Sequence, residues 1–219
     1  YQGFLRFEDA GFTVTKLNAP FTLKRETISI DNDELFMDEF IVRDARGNTL
    51  VTSGSIGTES LINPTFDLSI RANDFQALNA EQGDNEFLFG KAVIDATATI
   101  KGDAQIPIID LTATVGGATD VTYIMPTATT NIESSDGIVS FVNRQNPDAI
   151  LTNSEEETGT VVGFDVNANL QVNEDAKITI LIDHETGDNL KVYGDGDFNF
   201  SLEPNGRMNL TGAYDVAGG

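Results

Sequence analysis

The stretch Phe164-Asp165-Val166-Asn167-Ala168-Asn169-Leu170-Gln171-Val172 alternates apolar and polar residues without a break. Phe164, Val166, Ala168, Leu170 and Val172 fall on one face, and Asp165, Asn167, Asn169 and Gln171 on the other. That is a β-strand with one dry and one wet side. Downstream, Leu190, Val192, Phe198, Phe200 and Leu202 keep the dry parity, with Lys191, Asp195, Asp197, Asn199 and Ser201 opposite. Gly194 and Gly196 interrupt the apolar side without changing its parity, as glycines do at a bend, a bulge or a close backbone approach. Glu203-Pro204-Asn205-Gly206-Arg207 then turns the chain, and Met208 and Leu210 resume the dry face.

Working outward, the same rule predicts strands at Phe66/Leu68/Ile70, Ala92/Ile94/Ala96/Ala98/Ile100, Leu111/Ala113/Val115, Val121/Tyr123/Met125 and Ile178/Ile180/Ile182. Shorter strands are expected at Phe4 to Phe7, Phe12/Val14, Phe21/Leu23, Ile28/Ile30, Leu35/Met37, Phe40/Val42 and Leu50 to Ile56. Turn residues recur every ~10–14 positions, the rhythm of an antiparallel meander. No stretch sustains a 3.6-residue period. Residues 73–79, with Asp74 as a cap, suit a single helical turn or an irregular crossover. Residues 144–160 are polar, acidic and aperiodic, which predicts a long exposed loop within a single segment spanning 1–219.

Composition narrows the function classes. Against 13 Lys+Arg stand 35 Asp+Glu, a net charge of −22, which repels phosphate backbones and disfavours nucleic acid as a partner. With no cysteine, neither a disulfide framework nor a thiolate metal site can form. No apolar run approaches the ~20 residues that span a bilayer. The chain opens at Tyr1 without a starter Met and reads as a piece of a larger protein. Its one histidine, His184, lies among turn residues, so no His-based zinc triad and no convincing nucleophile–His pair is available. Walker, dinucleotide and nucleophile-elbow motifs are missing. No enzyme activity, cofactor or metal is expected. Asp31-Asn32-Asp33-Glu34 and Asp183/Glu185/Asp188 gather oxygen ligands, yet neither fits an EF-hand loop, and Asp and Asn are favoured in turns anyway.

Several phrases carry a resemblance. Asp84-Asn85-Glu86-Phe87-Leu88-Phe89-Gly90-Lys91-Ala92, followed by a strand to Ile100-Lys101-Gly102, resembles the "strand, then Gly" units of the TamB family, the translocation and assembly module proteins related to AsmA-like bridges. Tyr123-Ile124-Met125-Pro126, Gly137-Ile138-Val139-Ser140-Phe141-Val142-Asn143 and Asn209-Leu210-Thr211-Gly212-Ala213-Tyr214 are similar to it too, and the resemblance covers most of the chain from about Ile28 onward. The version is that of Bacteroidota, shortly before the C-terminal end. The resemblance implies an elongated, curled, antiparallel or mixed β-sheet forming an open apolar groove, in the periplasm, with the full-length protein anchored in the inner membrane. It implies phospholipid acyl chains as the bound partner, a role in outer-membrane biogenesis, and an outer-membrane barrel assembly partner met through regions outside this chain. The implied groove lining is Phe66, Leu68, Ile70, Ile94, Ile100, Phe164, Val166, Leu170, Val172, Ile178, Ile180, Ile182, Val192, Phe198, Phe200, Leu202, Met208 and Leu210. Alternation alone leaves the fold open between that groove and a closed β-sandwich, whose core needs the same one-sided strands. Two other functions stay open beside it: a chaperone-like scaffold that pairs client strands by β-augmentation, and a secreted adhesin-type sandwich.

Overall fold

The computed structural model describes residues 2–15, 17–84, 87–124, 163–182 and 187–219. The acidic stretch at 144–160, the segment Gly137 to Asn143 and His184 lie outside them. Among the described residues 75% are strand and none is helical. The strands are β1 (Gln2–Val14), β2 (Ala19–Asp31), β3 (Glu34–Arg43), β4 (Thr49–Gly57), β5 (Thr65–Ala80), β6 (Leu88–Asp103), β7 (Pro107–Val115), β8 (Asp120–Ile124), β9 (Asp165–Val172), β10 (Lys177–Leu181), β11 (Asn189–Leu202) and β12 (Met208–Gly218). All twelve join one sheet. The two-sheet sandwich left open by the alternation is therefore not what these strands build.

β1 to β7 form an antiparallel meander, each strand pairing with the next. β9 then lies parallel to β7, β10 parallel to β8, and β11 antiparallel to β9, β10 and β12. Six of these strands, β6, β7, β9, β11, β10 and β8, close into a barrel-like ring of pairings. The registers explain the ring. β7 and β8 lie in turn along β6, at 94–102 and 88–91. β5 already occupies the opposite edge of β6 at Gly90 and Lys91, so β8 continues the line of β7. The excursion at 116–119 is a break between them. β9 and β10 repeat this arrangement along β11, with a break at 173–176. The pairs Val115↔Val172 and Asp120↔Lys177 share one offset of 57 residues (172 − 115 and 177 − 120). The ring thus closes around matched breaks in two neighbouring strands, and β1 and β12 each have one partner among the described strands.

Thr119 fastens the break. Its side chain is buried, and Oγ1 accepts from the Val93 N–H at 3.1 Å while lying 3.2 Å from the Val93 carbonyl, to which its O–H donates. Its own carbonyl accepts from Lys177 N–H across the parallel joint at 3.0 Å. Thr119→Val keeps the shape and removes both side-chain bonds, so it should cost about 1–3 kcal/mol. Thermal unfolding followed by circular dichroism should then shift down by several degrees, at about 2–4 °C per kcal/mol, whereas Thr119→Ser should hold close to the parent.

Three strands change parity at residues with left-handed backbone that are not glycine: Arg25 (φ 55°), Glu39 (φ 50°) and Asp74 (φ 45°). Register shifts accompany the last two, between Met37 and Phe40 and between Ala72 and Phe75, the signature of β-bulges that bend a strand. Residues 73–79 are accordingly neither a helical turn nor a crossover; they continue β5 through its bulge. The shorter strands expected near the start likewise join into unbroken β1, β2 and β3, because a bulge shifts the pattern without ending the pairing.

The bending brings β2 onto β5. The Phe21 ring stacks on Phe75 at 5.2 Å, and Phe12 packs on Phe21 at 5.5 Å. Ala19, Phe21, Ala72 and Phe75 form a buried core bordered by Leu17, Val42, Leu50, Ala77 and Ala96. The Asn79 N–H donates to the Leu17 carbonyl at 3.0 Å, tying the same two regions. β3 and β4 end short of this junction, and Asp44 in the turn between them reaches β5 through the Gln76 N–H at 2.8 Å.

Candidate functional site

Residues directly opposite one another on paired strands share a face, so the registers trace each side of the sheet. One row runs Leu5, Ile28, Met37, Gly54, Leu68, Ile100, Ile109, Val166, Leu202 and Met208, from one edge of the sheet to the other. The next runs Ile70, Ala98, Leu111, Ala168, Phe200 and Leu210, and the one after it Ala72, Ala96, Ala113, Leu170, Phe198 and Gly212. A fourth joins Phe75, Ile94, Val115, Val172, Gly196 and Tyr214. Beyond the matched breaks, Tyr123 aligns with Ile180 and Leu190, and Val121 with Ile178 and Val192.

No ionisable side chain other than tyrosine stands in these rows from β5 to β12. Asp67, Arg71, Lys91, Asp95, Lys101, Asp110, Asp120, Asp165, Lys177, Lys191, Asp195, Asp197 and Asp215 alternate onto the opposite face. On β1 to β4 the exception is Glu26, opposite Phe7. It is buried, and its Oε2 accepts from the Ile41 N–H at 2.9 Å, in the bulge of β3. The carboxylate there completes a strand whose ladder is interrupted.

Across the middle of the sheet these apolar side chains are half-buried; toward the outer strands they open to solvent, with Leu210 62% and Met208 70% exposed. The fully buried residues concentrate near the β2–β5 junction. Toward β12, Tyr214 stacks on Phe198 with ring centroids 6.3 Å apart, and its ring covers Gly196, where a β-carbon would strike it. The glycines of β11 thus mark a register shift at Tyr193/Gly194 and a close approach. Burial, and then the negative charge of Asp195, raise the Tyr214 hydroxyl above its ordinary range.

Of the eighteen residues expected to line a groove, sixteen fall into these rows or their continuation at Phe66, which pairs with Gly102. Phe164 and Ile182 flank β9 and β10, each about half exposed. Sequence reasoning passed over Leu5, Ile28, Met37, Phe75 and Ile109, which the registers align with the same face. Phe75 was hidden by the bulge at Asp74, and Ile109 by the run Pro107-Ile108-Ile109, which has no alternation.

The other face carries the charged residues of β5 to β12, interspersed with Phe4, Phe36, Val51, Ile108 and Tyr193. A depression of about 330 Å³ there is lined by Ser69, Arg71, Thr97, Thr99, Asp110 and Asn167 among others, with no nucleophile–base pairing in it. Among the described residues no group of three or more His, Asp or Glu could hold a metal ion, and no helix is long and apolar enough to cross a membrane. Turning to known proteins, the family model for the TamB C-terminal domain matches residues 38–219. No curated protein matches the chain, and no solved structure does.

Proposed function

The chain belongs to the TamB family, and on that premise we propose that its apolar face is an open groove that binds the acyl chains of phospholipid in the periplasm. The family is one of cell-envelope proteins with a role in membrane assembly. In this reading the segment is part of a bridge between inner and outer membranes and supports outer-membrane biogenesis, with a barrel partner met outside this chain.

The observation that carries the proposal is the segregation of charge. A net charge of −22 is kept off the apolar rows of β5 to β12, and among the described strands, which all join one sheet, no second sheet covers those rows. A core needs burial; here the face is wide, half-buried and uncharged. Each methylene moved from water onto such a face gains about 0.8 kcal/mol, so an acyl chain is held anywhere along the rows. No single pocket is required.

Phospholipid should therefore be recovered by mass spectrometry from organic extracts of chain purified without detergent. Protein that carries none, and takes none up from phospholipid vesicles, overturns the reading. A scaffold for outer-membrane strands is the second reading, favoured by β1 and β12, each of which has one partner among the described strands. It predicts client cross-links along those edges and none on the apolar rows.

A further inference from the structure

We propose that a neutral band on the charged face of the sheet is a binding track for an uncharged polysaccharide, held by asparagine side chains of β9, β11 and β12. Two adjacent rows make the band. One joins Asn167, Ser201 and Asn209, and the next Asn169, Asn199 and Thr211. Both continue through β7 and β6 to β5, a track of roughly 24 Å at the spacing of paired strands. Over that length its only ionisable side chains are Asp110 and Arg71, one of each sign. The rows on either side are charged, one through Asp67, Lys101 and Asp165, the other through Asp95 and Asp197. A chain of net charge −22 thus leaves this band at zero.

The asparagines distinguish the band from a merely solvated face. Strand interiors disfavour asparagine, whereas threonine would meet water there and favour the strand as well. Yet four asparagines stand on three neighbouring strands, all of them exposed. Asparagines elsewhere serve the fold. Asn18 donates to Asp84, Asn48 to Asp44 and to the Asp74 carbonyl, and Asn173 accepts from the Asp175 N–H. Asn167, Asn169, Asn199 and Asn209 make no side-chain hydrogen bond with a described residue. The four border one depression of about 160 Å³. It shares Asn167 and Asn169 with the larger depression of about 330 Å³ on the same face.

The chemistry of the band selects its ligand. Each amide offers two donors and an acceptor, and sugar hydroxyls both donate and accept. Side chains on facing strands stand about 4.5–5.5 Å apart, so a linear polymer meets hydrogen-bonding groups at repeated steps. A polyanion would meet the flanking carboxylates, and a polycation would gain more from those rows than from the band. No aromatic ring lies in the band from β5 to β12 to stack on a nucleobase. Affinity then rests on hydrogen bonds exchanged with water, which sets the dissociation constant in the roughly millimolar range. Lipid binding uses the opposite face, and this proposal does not rest on it.

The test is a titration of the chain with chitohexaose and with cellohexaose, followed by NMR of the asparagine side-chain amides. The resonances of Asn167, Asn169, Asn199 and Asn209 should shift and saturate, while those of Asn48 and Asn205, in turns, stay in place. A response to both sugars assigns recognition to hydroxyls, and a response to chitohexaose alone assigns it to the acetamido groups. Asn169→Val/Asn199→Val should weaken binding at least tenfold with Tm unchanged or raised, since strands favour valine. Thr179→Val, on the same face outside the band, should bind as the parent does. The proposal is overturned if neither sugar gives a saturable shift at the four asparagines, or if the turn asparagines respond equally. An unchanged titration in the double valine variant overturns it too.

Discussion

Phospholipid recovered with Phe200→Glu is expected to fall about tenfold or more below the parent, a loss equivalent to at least ~1.4 kcal/mol. Phe200 sits between Ala168 of β9 and Leu210 of β12, in the middle of the apolar rows. Its backbone pairing does not depend on the side chain, so the strand should persist with a glutamate in its place. An acyl chain crossing that point, however, must strip water from the carboxylate, which costs several kcal/mol when no partner is supplied, and no cationic side chain stands in these rows. The matched control is Asn199→Glu, one residue away on the polar face, which should leave lipid recovery unchanged. Equal recovery from both variants, measured by mass spectrometry on protein of matched circular dichroism, would remove the apolar rows from any role in lipid binding.

The largest loss of stability is expected at Asp44→Ala. The Asp44 carboxylate accepts from the backbone N–H groups of Arg46, Asn48 and Gln76, each at 2.8 Å, and from Asn48 Nδ2 at 3.3 Å. Its side chain is 1% exposed. Alanine leaves the Arg46 and Asn48 groups to water at the turn, but the Gln76 N–H is buried in β5 beside Phe75. A buried donor left without an acceptor costs about 1–3 kcal/mol, and bonds to an ionised group are worth more than neutral ones. A total near 3 kcal/mol corresponds to a fall of roughly 6–12 °C in Tm. Asp44→Asn, which keeps one acceptor oxygen, should fall in between. A shift of under ~2 °C for alanine would mean that the turn does not hold β5 in place.

How much of this was readable beforehand follows from parity. From Phe164 to Leu210 the strands hold their alternation, so their dry faces could be read directly and the registers place them together. In the first eighty residues the alternation breaks at Arg25, Glu39 and Asp74. Nothing in an arginine, a glutamate or an aspartate announces a left-handed backbone, and the pattern there resembled several short strands and a helical turn. The parallel joint was hidden for another reason. Gly116-Gly117 and Asn173-Glu174-Asp175 are turn residues, and a break within a strand uses the same chemistry as a hairpin. The apolar face was thus visible strand by strand, whereas its continuity across ten strand positions depends on pairings between residues far apart in the chain.

That parallel joint also sets an order of events during folding. Hairpins from β1 to β7 close over short loops and can form as soon as each strand is available. β9 finds β7 only after the chain has travelled 57 residues from one partner to the other, with the loop-closure entropy that such a span carries. Non-local pairing of this sort is slow compared with hairpin formation. The first seven strands therefore stand as a template before the rest arrives, and the edge of β7 waits unpaired until it does. A partner able to occupy that edge would have its opportunity in this interval, before β9 takes the place.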